Sequence, residues 1–137
     1  MTIGDVLKTT VSHPFITRIN HIALMARPGE HHQARAFYAG LLGMTEVPLP
    51  DDLCGNSNLD LVWFVFNDVM IHVSFTDDYV PVPVGRHVCI EVENLGDLRV
   101  RMEAAGCGIE EQVRLPDRER FFVSDPFGNY FEFMEFN

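Results

Sequence analysis

Short runs of strict apolar–polar alternation, separated by two stretches of helical period, organise this chain. Thr17–Ala26 alternates: Ile19, His21, Ala23 and Met25 fall on one side, Asn20, Ile22 and Leu24 on the other. That period of two predicts a strand. Pro28–Leu42 carries Ala34, Phe37, Tyr38 and Leu41 as a helical inner stripe, with Pro28 and Glu30 suited to the first turn and Gly43 to the C-terminal cap. Thr45–Leu49 reads as a short strand whose Pro48 and Pro50 mark an edge. Asp51–Asn58 is a polar loop, expected to be mobile. Leu61–Phe66 and Val69–Phe75 read as a hairpin over Asn67-Asp68.

The second half repeats the order. Arg86-His87-Val88-Cys89-Ile90 echoes Asn20-His21-Ile22-Ala23-Leu24. His87–Glu93 predicts a strand, and Asn94–Ala105 a helix with a capping-box-like Asn94-x-x-Asp97 and a stripe of Leu95, Leu98, Met102 and Ala105. Ile109–Val113 reads as a short strand, and Glu119–Ser124 with Tyr130–Phe136 as a hairpin over Asp125–Asn129. The expected architecture is therefore α+β: β-α-β-β-β, twice. The modules cover about 17–75 and 86–137 of a single domain, 16–137. Residues 1–15 read as an N-terminal adapter, and Thr76–Gly85 links the halves. Modules of this size are marginal alone and should pack together or against another subunit. Their open strand edges motivate a homodimer.

Composition narrows the function. A formal net charge of −10 over 137 residues argues against nucleic-acid or anionic-membrane partners, which require basic patches. No apolar run approaches spanning length. Three cysteines, Cys54, Cys89 and Cys107, form no paired framework, and residues 1–10 carry no basic-then-apolar leader pattern, so a reduced, cytoplasmic setting is expected.

The repeat also sets up candidate chemistry. His72 follows the first hairpin turn at nearly the distance from His21 that separates Glu132 from His87. A duplicated unit presenting His21, His72, His87 and Glu132 at matched positions suggests one divalent metal held across an internal pseudo-twofold, with Fe, Zn, Ni, Mn and Co all compatible with imidazole and carboxylate. Strand parity sets His21 and His87 opposite the apolar residues that face the helices, and His72 with Met70 and Ser74. A histidine on such a face is otherwise a hydrogen-bonded core residue; His72 could equally line the pocket without ligating. Glu135, opposite Glu132 by parity, should face outward or toward a partner. His31 and His32 read as solvated surface. Arg120 shares a face with Phe122 and Ser124 and is either an anion handle or a strand-edge ion pair with Asp117 or Glu119. Tyr130 and Trp63 are hydrogen-bonding or aromatic wall residues. Cys89 is a small filler or a soft ligand. The Asp125–Asn129 turn lacks calcium-loop spacing, and Gly128 there permits positive φ.

Four motifs in order, Asn20-His21-Ile22-Ala23-Leu24, Ala36-Phe37-Tyr38 running into Leu41-Leu42-Gly43-Met44, Gly85-Arg86-His87-Val88, and Asp125-Pro126-Phe127-Gly128-Asn129-Tyr130-Phe131-Glu132, resemble the vicinal oxygen chelate superfamily over about 17–137. That family includes glyoxalase I, fosfomycin-resistance thiol transferases, bleomycin-binding proteins and extradiol dioxygenases. The resemblance implies paired βαβββ modules forming a half-open mixed β-barrel around a divalent metal, with helices outside. It places ligands from the first, fifth and last strands on His21, His87 and Glu132. The fourth, usually Glu in glyoxalase I, falls on His72.

The expected function is a metal-dependent enzyme acting on a small oxygenated substrate through bidentate or oxyanion coordination. Isomerisation, ring-cleaving oxygenation, epimerisation and thiol addition all share the scaffold. Glu132 would move a proton. Arg120 would read a remote carboxylate or acidic hydroxyl, with Trp63, Phe122 and Tyr130 as substrate contacts. The alternative is a metal-free drug- or metabolite-binding protein.

Overall fold

The computed structural model describes residues 15–53, 58–83 and 85–137; nearly all of the expected adapter, Cys54 and part of the 51–58 loop lie outside them. Two mixed sheets organise the α+β fold. The first has the order β1 (His21–Ala26), β4 (Val69–Phe75), β3 (Leu61–Phe66), β2 (Thr45–Val47). The second has β5 (Val88–Glu91), β7 (Tyr130–Phe136), β6 (Arg118–Ser124). In each module the first strand runs parallel to the last, β1 to β4 and β5 to β7, while the hairpin pairs are antiparallel. The two sheets stay separate, and no closed barrel forms among the described residues.

The hairpin β3–β4 matches its predicted limits, because alternation and a two-residue turn fix register together. Asn67 takes the positive φ of 48° that the tight turn needs. Pro48 ends β2, which is the edge strand. Other expectations require correction. The first helix starts only at α1 (His31–Arg35), because Gly29 at φ +79° breaks the helical path after Pro28. It continues as a π-helical segment, Ala36–Leu41, whose wider turn accompanies burial of the adjacent Phe37 and Tyr38. The second module's short strand, expected over 109–113, contracts to one bridge between Glu110 and Phe122.

The expected capping box at the second helix, α2 (Leu95–Ala104), is absent. Asn94 adopts φ 59° and its side chain caps nothing. Instead the Glu135 carboxylate, expected to face outward, accepts hydrogen bonds from the backbone N–H of Asn94 at 3.1 Å and Leu95 at 2.9 Å. A helix start leaves its first N–H groups unpaired and carries partial positive charge, so a carboxylate from the neighbouring strand serves there as well as a local cap.

One core serves both modules. Phe37 and Tyr38 from the first helix meet Phe131 of β7 at ring distances of 6.2 and 6.1 Å, and Tyr38 stacks on Phe64 of β3. Phe75 of β4 meets Phe127 of the last turn edge-on. Ile71, Val73, Met102, Phe121 and Phe133 complete this continuous interior. The opposite face of each sheet, carrying the histidines, is left outside the core. The two modules are thus joined through their apolar backs.

Candidate metal centre in two halves

On the first sheet, β1 and β4 bring His21 and His72 together, with ring centroids 4.9 Å apart. Trp63, paired with His72 across β3–β4, stacks on it at 5.3 Å and reaches His21 at 5.7 Å. The parity behind this trio follows the sequence: Ile71 and Val73 are buried while His72 is half-buried between them. His21 Nδ1 donates to Asn20 Oδ1 at 2.9 Å, which leaves Nε2 as the nitrogen with the lone pair in the neutral ring. Burial first, then the neighbouring His21, lower the pKa of His72 and favour its neutral, ligating form. His72 Nδ1 and Trp63 Nε1 are both buried without a partner among the described residues.

On the second sheet, Glu132 is the centre. It is 7% exposed and pairs in register with Cys89 on one side and Phe122 on the other. Arg120 Nη1 donates to its Oε1 at 3.1 Å, while His87 Nε2 lies 3.1 Å from its Oε2. Arg120 also donates through Nη2 to the Val113 carbonyl at 2.6 Å. Its guanidinium is therefore already engaged by Glu132 and backbone, and not by Asp117 or Glu119, the partners weighed from sequence. His87 Nδ1 donates to the Gly85 carbonyl at 3.1 Å, again leaving Nε2 to present the lone pair. Phe122 and Tyr130 stack at 5.4 Å beside the His87 ring.

His21 and His87 are thus oriented alike, with Nδ1 tied to an oxygen and Nε2 left to present the lone pair, the arrangement that prepares imidazole for a metal. His87 Nε2 and Glu132 Oε2 face one another as two lone-pair donors. At 3.1 Å they are close enough to share one proton or to bind one ion together. The donor chemistry fits a divalent ion. Yet each half is incomplete. His21 and His72 sit on one sheet, His87 and Glu132 on the other, and no group of three or more His, Cys, Asp or Glu side chains among the described residues is set to hold a metal.

Sequence reasoning passed over three contributors. The Asn20 amide and the Gly85 carbonyl orient the histidines; the Asn20-His21 dipeptide was a visible signal for the first, while the second is backbone and had none. The third is Glu110, whose carboxylate accepts the Tyr130 hydroxyl proton in a hydrogen bond. Residues His87, Glu110, Gln112, Phe122, Ser124 and Tyr130 line a cavity of about 380 Å³. A second cavity of about 360 Å³, between Phe66, Ile90, Leu98 and Phe133 at the module junction, contains none of the expected site residues.

Cys89 lies against Glu132. Burial first, then that carboxylate, push its thiol up to about 11, against the opposing effect of Arg118 and Arg120. A raised value means less thiolate at any working pH. In metal-free protein at pH 8, Cys89 should alkylate at least about tenfold more slowly than an unperturbed cysteine, and Glu132→Gln should speed it. Time-resolved peptide mass mapping with iodoacetamide reads both; equal rates in the two proteins would show that Glu132 does not act on the thiol.

Comparison with known proteins agrees with this architecture. A search of curated proteins finds no match. Among solved structures, a putative glyoxalase family protein from Bacillus anthracis is 31% identical, covers 91% of this chain and 99% of its own, and superposes with a TM-score of 0.80. FosX, a fosfomycin resistance protein from Listeria monocytogenes complexed with Mn(II) and 1S,2S-dihydroxypropylphosphonic acid, is 16% identical over 90% of this chain and 95% of its own, at a TM-score of 0.76. TnmS3, an antibiotic binding protein from Streptomyces sp., is 15% identical over 91% of this chain and 100% of its own, at 0.67. The latter two likenesses speak to the fold. A family model matches residues 18–133, and with it the chain is shown to belong to the glyoxalase/bleomycin resistance protein/dioxygenase superfamily.

Proposed function

We propose that this protein is a metal-dependent enzyme for a small oxygenated substrate, with its site completed between two copies of the chain. The observation that carries this reading is the shared orientation of His21 and His87, each with Nδ1 tied to an oxygen, and the approach of His87 Nε2 to a buried Glu132. One copy would supply His21, with His72 as a further donor; the other would supply His87 and Glu132. The common core supports assembly between copies, because it turns both histidine faces away from the interior. Ile19 and Met25, on the parity of His21, are 65% and 43% exposed. Such an apolar face is suited to cover by a second subunit. Apposing the two faces would complete the half-open barrel that neither sheet forms alone.

A divalent ion bound there would act as a Lewis acid toward a substrate oxygen. Glu132 Oε2 is the atom placed to take or return a proton, while Arg120 fixes Oε1 and so holds the carboxylate plane. Phe122, Tyr130 and Trp63 provide aromatic walls that orient the substrate and exclude water.

A metal-free ligand-binding protein is the second reading, favoured by one feature: the Arg120–Glu132 ion pair at 3.1 Å already compensates the buried carboxylate. Subunit mixing separates the two. His21→Ala and His87→Ala proteins should each bind little metal. When mixed and allowed to exchange, one intact site should reappear per hybrid dimer, detected by zinc titration. Monomer-only light scattering at micromolar concentration, or no recovery despite proven exchange, would reject the shared site. Full-length wild type without stoichiometric metal affinity would favour the metal-free reading.

A further inference from the structure

The cavity beside His87 has a charge opposite to the one that Arg120 suggests in the sequence. Among its described lining residues the single Asp, Glu, Lys or Arg is Glu110. Of the two arginines on β6, Arg120 is committed to Glu132 and the Val113 carbonyl, and Arg118 to Asp117. We propose that this cavity selects ligands bearing a protonated amine, with Glu110 as the counter-ion and Phe122 and Tyr130 as the aromatic walls. The inference rests on the metal-centred reading for where the remainder of the ligand sits, and adds to it the class of substrate.

Glu110 is held firmly for this role. Its backbone exchanges two hydrogen bonds with Phe122, at 2.8 and 2.9 Å, which anchors an otherwise irregular segment to β6. Residues paired in this way project their side chains to the same side of the sheet, so Glu110 stands with Phe122 on the cavity face. Tyr130 donates to Glu110 Oε2, and no described residue engages Oε1. One carboxylate oxygen is therefore positioned by the tyrosine and the other is open to a ligand. Phe122 is 5% exposed and has the Arg120 guanidinium 5.4 Å from its ring centroid, so it backs the cavity as a wall, while Tyr130, stacked on it, offers the electron-rich face to a cation. A carboxylate beside the Tyr130 ring is suited to an ammonium group and repels a carboxylate or phosphonate. The net charge of −10 acts in the same direction at long range.

Three catechols of equal reach test this: dopamine, carrying an ammonium; neutral 4-ethylcatechol; and 3-(3,4-dihydroxyphenyl)propanoate, carrying a carboxylate. Each is titrated calorimetrically under anaerobic conditions into the full chain, zinc-loaded and metal-free. Wild type should bind dopamine roughly tenfold more tightly than 4-ethylcatechol, and the propanoate more weakly than either. Glu110→Gln, which keeps an acceptor for Tyr130, should reduce the dopamine preference to within about twofold. A second variant, Tyr130→Phe, should reduce it less, because the carboxylate remains. Absence of a dopamine preference in both forms of the wild type, or its full retention in Glu110→Gln, overturns the proposal. A preference that depends on Glu110 but shows no gain on adding zinc upholds the amine site and counts against the metal-centred reading alone.

Discussion

Replacing His87 by alanine should weaken divalent-metal binding by at least about 100-fold while leaving the fold intact. The ring is outside the common core, held at the mouth of β5 by the Gly85 carbonyl, so its loss opens no internal cavity. What disappears is a nitrogen already oriented toward Glu132 Oε2 at 3.1 Å. Glu132 retains Arg120 on its other oxygen, so the carboxylate stays paired and the buried charge is not stranded. That separates metal affinity from stability. Elemental analysis after dialysis against a stated zinc concentration, beside a urea unfolding curve, reads both at once. Full metal occupancy in the variant would remove His87 from the ligand set. His72→Ala should have a milder effect on metal, because His21 and the His87–Glu132 pair remain.

The largest stability loss is expected away from that site, at Asp125. This side chain is 5% exposed and accepts four hydrogen bonds: the N–H groups of Phe127 at 2.9 Å and Asn129 at 2.8 Å on Oδ1, and the Tyr38 hydroxyl at 2.5 Å and Asn129 Nδ2 at 2.7 Å on Oδ2. Tyr38 belongs to the first module and Asp125 to the second, so the carboxylate joins them. Asn129 extends the link by donating to the Met25 carbonyl at 3.0 Å. Burial holds the Asp125 carboxyl above the usual carboxylate range, and burial together with Asp125 pushes the Tyr38 hydroxyl well above its own. Removing the carboxylate strands several buried donors at once. Asp125→Ala should therefore cost about 3–5 kcal/mol, where losing one hydrogen bond to that carboxylate, as in Tyr38→Phe, should cost about 1.5–3 kcal/mol. In urea the first should lower the unfolding midpoint by roughly 2 M. A midpoint within experimental scatter of wild type would mean that the turn holds by backbone geometry alone. Because β7 starts directly after this turn and carries Tyr130 and Glu132, the same variant should also loosen the candidate site.

Local periodicity determined much of this protein. Alternation placed His21, His72, His87 and Glu132 on the faces opposite the apolar residues, since successive side chains on a strand must point to opposite sides. The repeat predicted two modules, the hairpin turns set their register, and the motifs identified the superfamily. The side-chain partnerships left to the tertiary structure mostly joined residues distant in sequence. Glu135 was read by parity as outward-facing, yet it caps a helix some forty residues earlier, because an unpaired helix start attracts any carboxylate that packing brings near. Arg120 read in one dimension as an anion handle or a strand-edge ion pair with Asp117 or Glu119; packing gave it Glu132 and a backbone carbonyl instead. Glu110 carried no motif and gained its place only through pairing with Phe122 and Tyr130. The division of the four expected ligands into two pairs was likewise invisible in the strand pattern. Parity tells which face of a sheet a residue occupies, but which faces meet depends on where the apolar surfaces find each other, and here they meet at the modules' backs.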